Sequence, residues 1–334
     1  MSNLSNFPNG ITSWGVPVFG GLGTGNVYIV ADTTSAAYQE LVNRYGTATY
    51  SDGSQMFYSH TSKASTVTTN GLVNALAACV TDRNDYVVVM PSSNTYYTDV
   101  TLTISKKAVH FICPAALTTK VGCTNAVRIQ QIGSAASIIT ITNGGIEVAG
   151  FYLKNITGYA HITVPTTSAC VASAWGLSIH NNYFVSRSSS TTLPMLDCNG
   201  DGASYSRIEN NWFTSQVSGG TWTAGVVDVE TSTVNTDVIG NYINIGNTGN
   251  ATYGVRNLSV NGLVADNYFS ECGTSTITSC VTIGKTGAAI GNRCAVATTH
   301  FSDGSGTTGV SYSDNTDGIT NGASSGNLGA QLET

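Results

Sequence analysis

The tetrapeptide NNYF, at residues 181–184, returns several times along this chain and decides its fold. Related tetrapeptides are NNWF at 210–213, GNYI at 240–243 and DNYF at 266–269. Each copy has asparagine second and an aromatic residue third, and successive copies are 29, 30 and 26 residues apart. Self-similarity with a period of about 20 to 50 residues is typical of a solenoid or another repeat array.

The repeat has an inner frame that extends beyond these four copies. An apolar residue usually stands three positions before the asparagine, and in the first four copies Phe or Ile stands two positions after it. The segment IEVAGFYL, at 146–153, fits the same frame with Phe151 in the asparagine position. The asparagines that occupy this position are Asn182, Asn211, Asn241, Asn267 and Asn292, with Asn315 as a further candidate.

Around each asparagine the apolar residues alternate with a period of two, as at Leu177 and Ile179, and this is strand periodicity. The segments VVVM at 87–90, IITIT at 138–142 and VVDVE at 226–230 are also typical of strands. About three short strands in each repeat of roughly 25 to 30 residues is the pattern of one rung of a parallel β-helix. The span from residue 86 to residue 300 predicts about eight rungs.

In such a rung the asparagine has two physical roles. A corner between strands needs a residue that tolerates the left-handed backbone region, and asparagine does so better than most. Stacked rungs also bring equivalent amides together, so that each can hydrogen-bond to the next. The sequence therefore predicts a structural ladder of these asparagines, with the aromatic two positions later pointing inward. A repeated sugar-binding site is the alternative interpretation.

A helix is expected at about residues 70–80, immediately before the first predicted rung. In NGLVNALAACV, residues Leu72, Val73, Leu76, Ala77 and Val80 share one face at helical spacing. A short amphipathic helix there would cover the open end of the first rung and protect its edge.

These patterns divide the chain into three regions: an arm with a docking function at 1–66, the β-helix at 67–301, and a Gly/Ser/Asn-rich last rung or flexible tail at 302–334. No charged residue occurs from Ser2 to Ala31. Aromatic side chains exposed on such a segment would favour aggregation, so we expect them to dock onto another protein, or alternatively to fold back over the solenoid. The docking candidates are Phe7, Pro8, Trp14, Pro17 and Phe19.

Composition excludes several functional classes at this stage. The chain has 334 residues and a formal net charge of −6, and no basic cluster exceeds Lys106-Lys107, so no nucleic-acid partner is expected. No run of about 18 apolar residues predicts a membrane span. The first residues lack the basic and apolar regions of a signal peptide, so synthesis in the cytoplasm without a leader is expected.

No cofactor or metal is expected either. The eight cysteines form no closely spaced pair of the kind that binds zinc, and the five histidines show no metal or triad spacing. The cysteines are interpreted as small buried apolar residues, with a few disulfides as the alternative.

An enzyme of the polysaccharide hydrolase class would need two carboxyl groups roughly 5 to 10 Å apart. Acids at equivalent positions of neighbouring rungs could supply them, because adjacent strands are about 4.8 Å apart. Asp228 and Glu230 lie two positions apart and should share one face. The candidate acids are Asp197, Asp201, Asp228 and Glu230, and the alternative for each is a solvated surface carboxylate.

The predicted helix, the VVVMP strand and the I-x-x-N-x-F repeats resemble the right-handed parallel β-helix proteins of the pectate-lyase-like group, which includes phage tailspikes. This resemblance covers about residues 67–300. It implies an all-β fold, a right-handed parallel β-helix, but it carries little information about function.

The opening SNFPNGITSWGVPV, followed by GNVYIV, resembles virion-associated proteins of tailed bacteriophages, in which an N-terminal region attaches to the particle. The resemblance implies a non-enzymatic virion protein, an exterior capsid decoration that binds the major capsid protein or another virion protein through its arm. It also implies a homotrimer, and weak contact with host surface glycans is a further hypothesis. The alternatives are a tailspike-type polysaccharide hydrolase or lyase and a non-catalytic tail adhesin.

Overall fold

The computed structural model describes residues 11–13, 16–18, 25–114, 127–133, 136–156, 158–165, 175–186, 190–191, 193–199, 203–215, 221–222, 225–245, 250–270, 276–284, 286–295, 299–303 and 310–317. Two helices lie in the N-terminal quarter of the chain, α1 (Tyr38–Tyr45) and α2 (Gly71–Ala78).

All other regular structure in these ranges is short strands. Those before α2 are β1 (Ile11–Ser13), β2 (Val16–Val18), β3 (Val27–Asp32), β4 (Phe57–Lys63) and β5 (Thr66–Thr69). The next are β6 (Asp85–Val89), β7 (Tyr96–Thr98), β8 (Leu102–Ile104), β9 (Val109–Ile112), β10 (Val127–Gln131), β11 (Ile139–Ile141), β12 (Glu147–Ala149), β13 (Phe151–Asn155), β14 (Ile162–Val164), β15 (Ser178–His180), β16 (Tyr183–Ser186), β17 (Ser190–Thr191), β18 (Leu196–Cys198), β19 (Arg207–Glu209) and β20 (Trp212–Ser215). The last are β21 (Thr221–Trp222), β22 (Val227–Val229), β23 (Asp237–Ile239), β24 (Tyr242–Asn244), β25 (Asn250–Asn257), β26 (Leu263–Ala265), β27 (Tyr268–Ser270), β28 (Thr276–Ile283), β29 (Ala288–Ile290), β30 (Arg293–Cys294), β31 (Thr299–Asp303), β32 (Ser311–Ser313) and β33 (Thr316–Asp317).

The strands form three long sheets and one separate antiparallel pair, β1 with β2. The first sheet has the order β5-β4-β3-β6-β9-β12-β15-β19-β23-β26-β29-β32. The second has the order β7-β10-β13-β16-β20-β24-β27-β30-β33. The third runs β8-β11-β14-β18-β22-β25, continues through β28 to β31, and carries β21 and β17 beside the start of β25. Within these sheets every described pair is parallel except β4 with β5.

From β6 onward the chain visits the first, second and third sheets in the same order, again and again. Each strand therefore pairs with its equivalent one repeat later, as Phe184 of β16 pairs with Phe213 of β20. The predicted all-β class is confirmed, and so is the strand interpretation of the repeat.

The core is the space that the three sheets enclose. Most strands of the three sheets contribute side chains to one continuous apolar cluster, which extends from Tyr28 to Cys294. The phenylalanine two positions after Asn182, Asn211 and Asn267 is buried there, as predicted, and the rings of Phe184 and Phe213 stack with centroids 4.5 Å apart. Rings that stack along the repeat direction bring apolar atoms of successive repeats into close contact.

The repeated asparagines form a continuous buried ladder. The Oδ1 atom of Asn211 accepts hydrogen bonds from the backbone N–H of Asn182 at 3.0 Å and from its Nδ2 at 3.1 Å. The Nδ2 of Asn211 donates in turn to the Ile179 carbonyl at 2.8 Å. The pattern continues through the remaining ladder residues, Asn241, Asn267, Asn292 and Asn315. At the other end the Phe151 N–H donates to Asn182 Oδ1, so Phe151 does occupy the asparagine position.

The left-handed corner lies one residue earlier than predicted. At these corners the residue with positive φ is the one before the ladder position, as at Asn181 with 55°, Asn210 with 55° and Gly240 with 65°. The ladder asparagine itself is selected by hydrogen bonding in the interior. The corner and the ladder are therefore two adjacent residues with separate roles, which explains why N-N, G-N and D-N pairs recur.

A helix is present at the predicted place, although its buried face is different. α2 packs Leu72, Ala75 and Leu76 into the main cluster, whereas Ala77 and Val80, which were expected on that face, are exposed. The side chain of Asn70 caps its first turn by accepting the Val73 N–H at 3.3 Å.

The expected boundary of the N-terminal arm at residue 66 is wrong, because residues from β3 onward belong to the first sheet. β3 pairs with both β4 and β6, and Tyr28 and Val30 are fully buried in the main cluster. On the outer side of the same strands, α1 packs Leu41 against Ile29 in a second, smaller apolar cluster. A free arm can therefore reach residue 24 at most.

Four of the five docking candidates, Phe7, Pro8, Trp14 and Phe19, lie outside the described residues. The fifth, Pro17, lies in β2 opposite Thr12. At the other end of the chain, β32 and β33 add to the first and second sheets, so residues 311–317 continue the repeat as expected of a last rung.

The described cysteines include both buried thiols and a disulfide, the two interpretations that the sequence left open. Cys79, Cys113 and Cys198 are buried thiols, as expected for small apolar residues. Cys280 and Cys294 form a disulfide inside the core, with Cα atoms 6.2 Å apart. This bond links the third sheet to the second within one repeat.

Candidate functional site

The structure brings three of the four candidate acids together on the outer face of the third sheet. Asp197 of β18 and Asp228 of β22 are direct partners on neighbouring strands. Glu230 follows β22 on the same side as Asp228, as its spacing predicts. The fourth candidate, Asp201, lies outside the described residues.

Arg256 of β25 organises this acid cluster. It is the next partner in the row, paired with Asp228. Its Nε donates to Asp228 Oδ1 at 2.6 Å and its Nη2 donates to Asp228 Oδ2 at 2.6 Å, a two-point clamp. The same Nη2 also donates to Glu230 Oε1 at 2.7 Å. The guanidinium lies 5.4 Å from the ring centroid of Tyr253, which completes its surroundings.

The two aspartates differ in their electrostatic environment. Burial raises the pKa of Asp197 to about 7, and the neighbouring charges of Asp228 and Glu230 act in the same direction. Burial also raises the pKa of Asp228, but the Arg256 hydrogen bonds oppose it. No hydrogen bond or ion pair from the described part of the chain reaches the Asp197 carboxyl. Asp197 is therefore a neutral acid below about pH 7 beside an arginine-paired carboxylate.

Such a pair resembles the acid and the carboxylate of a glycosidase in its electrostatics. Access is a separate requirement, because a substrate oxygen must reach both groups. Asp197 is only 4% exposed and Asp228 only 3%. The expectation of solvated surface carboxylates is therefore wrong for these two residues, and their burial also leaves little room for a sugar.

A second polar cluster, which the sequence interpretation missed, lies on the outer face of the first sheet. The Glu147 carboxylate bridges two imidazoles: its Oε2 lies 2.6 Å from His110 Nδ1 and its Oε1 lies 2.8 Å from His180 Nε2. Asn84 Oδ1 lies 2.8 Å from the remaining His110 nitrogen, and the Tyr86 ring stacks on His110 at 4.2 Å.

The hydrogen bonds from His110 and His180 lower the pKa of Glu147 to about 2. All three side chains are partly exposed. The carboxylate already uses both oxygens, so the cluster is a closed network that orients two imidazoles. Among the residues described, no group of three or more His, Cys, Asp or Glu side chains is placed to hold a metal ion.

A third cluster fixes the N-terminal strands to the rest of the fold. The buried Asp85 carboxylate accepts from Arg83 Nε at 2.7 Å, from the Val80 N–H at 2.7 Å and from the Asn26 N–H at 2.8 Å. Arg83 also pairs with Asp52. The network satisfies a buried charge and is structural.

The repeat frame contained a signal for the missed arginine. Val227-Asp228-Val229 and Val255-Arg256-Asn257 are register partners 28 residues apart, so an alignment of third-sheet strands pairs Asp228 with Arg256. Half of the Glu147 bridge had the same kind of signal, because His110 is the register partner of Glu147. The His180 half had none, because His180 contacts Glu147 diagonally while its register partner in β12 is Ala149.

Comparisons with known proteins add no family. No family model matches the chain, and no curated protein or solved structure is similar to it. In the described ranges, neither helix is long and apolar enough to cross a membrane. What the chain shows by its own geometry is an all-β protein with long parallel sheets and a buried cluster of acids on one of them.

Proposed function

We propose that the three sheets are the faces of a right-handed parallel β-helix of about eight rungs, with α2 as its cap. The support is the cyclic order of the strands: β6 to β31 make repeated circuits through the three sheets, always with parallel pairing. Crossovers between parallel strands are right-handed in nearly all proteins. α2 packs beside β3, β6 and β8, at the start of these circuits.

The function proposed for this solenoid is structural, as an exterior capsid decoration protein of a tailed-phage virion anchored by residues 1–24. The observation that carries the proposal is the unbroken ladder from Asn182 to Asn315 inside a continuous core. Such a ladder makes a stiff rod from the chain alone. The resemblance of the N-terminal segment to virion-associated phage proteins supplies the location.

The expected partners follow from the same proposal. The uncharged N-terminal segment would dock onto the major capsid protein or another virion protein. Three copies would pack side by side as a homotrimer, which suits local three-fold positions of a capsid. Copies that bind only the assembled shell would stabilise it.

The test uses phage particles stripped of this protein. Purified full-length protein and a variant lacking residues 1–24 are added, and bound copies per particle are counted. We expect the full chain to bind in numbers comparable with the major capsid protein and the shortened chain to stay in solution. A few copies per particle would indicate tail attachment, and equal binding of both forms would contradict the role of the arm.

A second candidate, a polysaccharide hydrolase, is favoured by one observation, the Asp197–Asp228 pair with its raised Asp197 pKa. It predicts that Asp228→Asn abolishes release of reducing sugars from host surface polysaccharide, and that Asp99→Asn, an exposed control, does not. The low exposure of both aspartates argues for the structural candidate. Absence of sugar release by the unmodified protein would exclude the hydrolase.

A further inference from the structure

A column of aromatic side chains runs along the outer face of the second sheet. It contains the residue that directly follows the ladder position in five successive repeats, so its members are register partners on successive strands. Neighbouring ring centroids are 4.3 to 5.6 Å apart along the whole column. Its five rings are those of Tyr152, Tyr183, Trp212, Tyr242 and Tyr268.

Each of these rings is partly exposed, in contrast to the buried phenylalanines on the inner side of the same strands. Rings that interlock with their neighbours stabilise a sheet face, and that contribution alone would account for pairs. A row of five partly exposed aromatic rings is more than this stabilising role requires, because a continuous apolar stripe on a protein surface marks a binding surface.

An arginine closes the aromatic column at each end. The Arg128 guanidinium lies 5.5 Å from the Tyr152 ring centroid, and the Arg293 guanidinium lies 5.4 Å from that of Tyr268. Both arginines are in register with the rings, six strand steps apart, which is roughly 29 Å at about 4.8 Å per step. The neighbouring row consists of Lys154, Val185, Thr214 and Asn244, of which Val185 and Thr214 are buried.

The charge on this face is opposite to that of the whole chain. The strands of this sheet from β7 to β30 contain Arg128, Lys154 and Arg293 but no Asp or Glu, and the ninth strand, β33, contains Asp317. The complete chain has 13 basic and 19 acidic residues. The charge clusters of Asp197 and of Glu147 lie on the other two sheets. The aromatic column therefore attracts an anionic ligand.

We infer that the aromatic column binds a linear polysaccharide of acidic sugars, laid along the solenoid axis. The apolar faces of sugar rings pack on aromatic rings, and the spacing of the strands is close to the length that one sugar adds to an extended chain. The arginines at the two ends of the column pair with carboxylates or sulfates. The inference goes beyond the proposed structural role and deepens the hypothesis of contact with host surface glycans. It assigns binding to a different sheet from the Asp197–Asp228 pair.

Single-stranded nucleic acid also binds to surfaces that combine aromatic rings with cations. It fits less well here. A nucleic acid carries one phosphate per nucleotide, but no cation lies in β16, β20 or β24, the central strands of the column. The net charge of −6 would repel a polyanion of that density.

The test measures dissociation constants by titration calorimetry with the purified full chain, using oligosaccharides of hyaluronan, alginate and polysialic acid. Neutral cello-oligosaccharides and a ten-nucleotide oligo(dT) are the comparison probes. We expect at least one acidic glycan to bind and the double variant Trp212→Ala/Tyr242→Ala to bind it about tenfold more weakly or worse. Arg128→Gln/Arg293→Gln should weaken the acidic glycan and leave any neutral one unchanged.

Two controls separate binding from folding. Trp212→Leu/Tyr242→Leu keeps apolar cover on the sheet but removes the rings, so it should lose affinity with little change in Tm. Trp175→Ala removes a ring that is 51% exposed outside the column, and it should bind like the unmodified protein. No saturable binding by any acidic glycan, tighter binding of oligo(dT), or full affinity in the ring variants would overturn the inference. Particle attachment is measured separately with the chain lacking residues 1–24, so either proposal can fail alone.

Discussion

At the scale of single residues, buried polar groups decide what this chain tolerates. Each ladder asparagine is buried, which is costly for an amide unless its donors and acceptor are used. In the ladder all of them are used, by backbone groups and by the next amide. Asp197 is the opposite case, a buried carboxyl that no described neighbour satisfies.

Replacement of a central ladder asparagine should lower the free energy of unfolding substantially. Asn241→Ala leaves the Asn211 N–H without its acceptor and the Ile208 carbonyl without its donor. At about 1 to 3 kcal/mol for each unsatisfied buried group, we expect a loss of about 3 kcal/mol or more in the free energy of unfolding. Asn43→Ala, at an exposed position of α1, is the matched control. Urea denaturation measures both, and equal losses would mean that the ladder contributes nothing to stability.

Asp197 predicts an unusual dependence of stability on pH. Its pKa rises from 3.8 to about 7 on folding, so between these values the folded protein keeps a proton that the unfolded chain has lost. The contribution of this proton to the free energy of unfolding is therefore fully present below about pH 4 and is lost as the pH rises to about 7. Asp197→Asn removes that decline and should be more stable than the parent at pH 8, by up to about 4 kcal/mol.

Urea denaturation at several pH values between 3 and 8 checks the Asp197 prediction. The difference between the variant and the parent should be small at pH 3, grow between about pH 4 and pH 7, and change little from there to pH 8. Asp99→Asn, on an exposed loop, should show no such growth. A constant difference would show that Asp197 titrates normally.

At the scale of elements, the repeated unit is a strand, a corner and a strand. The corner residue turns the chain from the first sheet to the second with positive φ, and the residue after it enters the ladder. Glycine at 240 also avoids a contact, because a Cβ there would lie 2.8 Å from Asn210 Oδ1. The corners therefore accept asparagine, aspartate or glycine for conformational reasons.

The corner between β19 and β20 gives a test of that conformational argument. Asn210→Val should lose about 1 to 2 kcal/mol, because a β-branched residue is disfavoured at a φ of 55°. Asn210→Gly should stay close to the parent. Thr103→Val, at an exposed position of the ordinary strand β8, is the control for the change of side chain. If all three variants have the same Tm, the corner is not under conformational restraint.

At the scale of the whole molecule, stability comes from one core that every repeat shares. Each repeat covers its neighbours, so the first and last repeats need other protection. In the proposed β-helix, α2 and the strands β3 and β4 would cover the N-terminal end, where the Asp85 network joins them to β6. Truncation from the N-terminus should therefore be tolerated only as far as the start of β3, the first strand of the sheets.

Two truncations test where the fold begins. A chain lacking residues 1–24 should keep its Tm within a few degrees of the parent. A chain lacking residues 1–30 loses the buried side chains of Tyr28 and Val30 and separates β4 from β6, so its Tm should fall by about 10 °C or more. Circular dichroism on heating measures both, and identical curves would place these residues outside the fold.

Much of the architecture was predictable because the repeat is visible in the amino-acid sequence as a regular spacing of similar residues. The spacing of asparagines and phenylalanines predicted the strands, the ladder and the inward ring stack, since stacked repeats bring identical positions into contact. Helix α2 was predictable from its apolar spacing, but its buried face was not, because the direction of packing depends on where β3 and β8 lie.

The sequence alone determined the repeat, the all-β class and the ladder, because each depends on residues separated by one period along the chain. Tertiary structure decided the rest. It joined residues 25–66 to the first sheet, placed Arg256 on Asp228, bridged His110 and His180 through Glu147, and aligned the outer aromatics between two arginines. Side-chain burial and pairing of this kind depend on which face of a strand points outward and what covers it, and these are properties of the folded sheets.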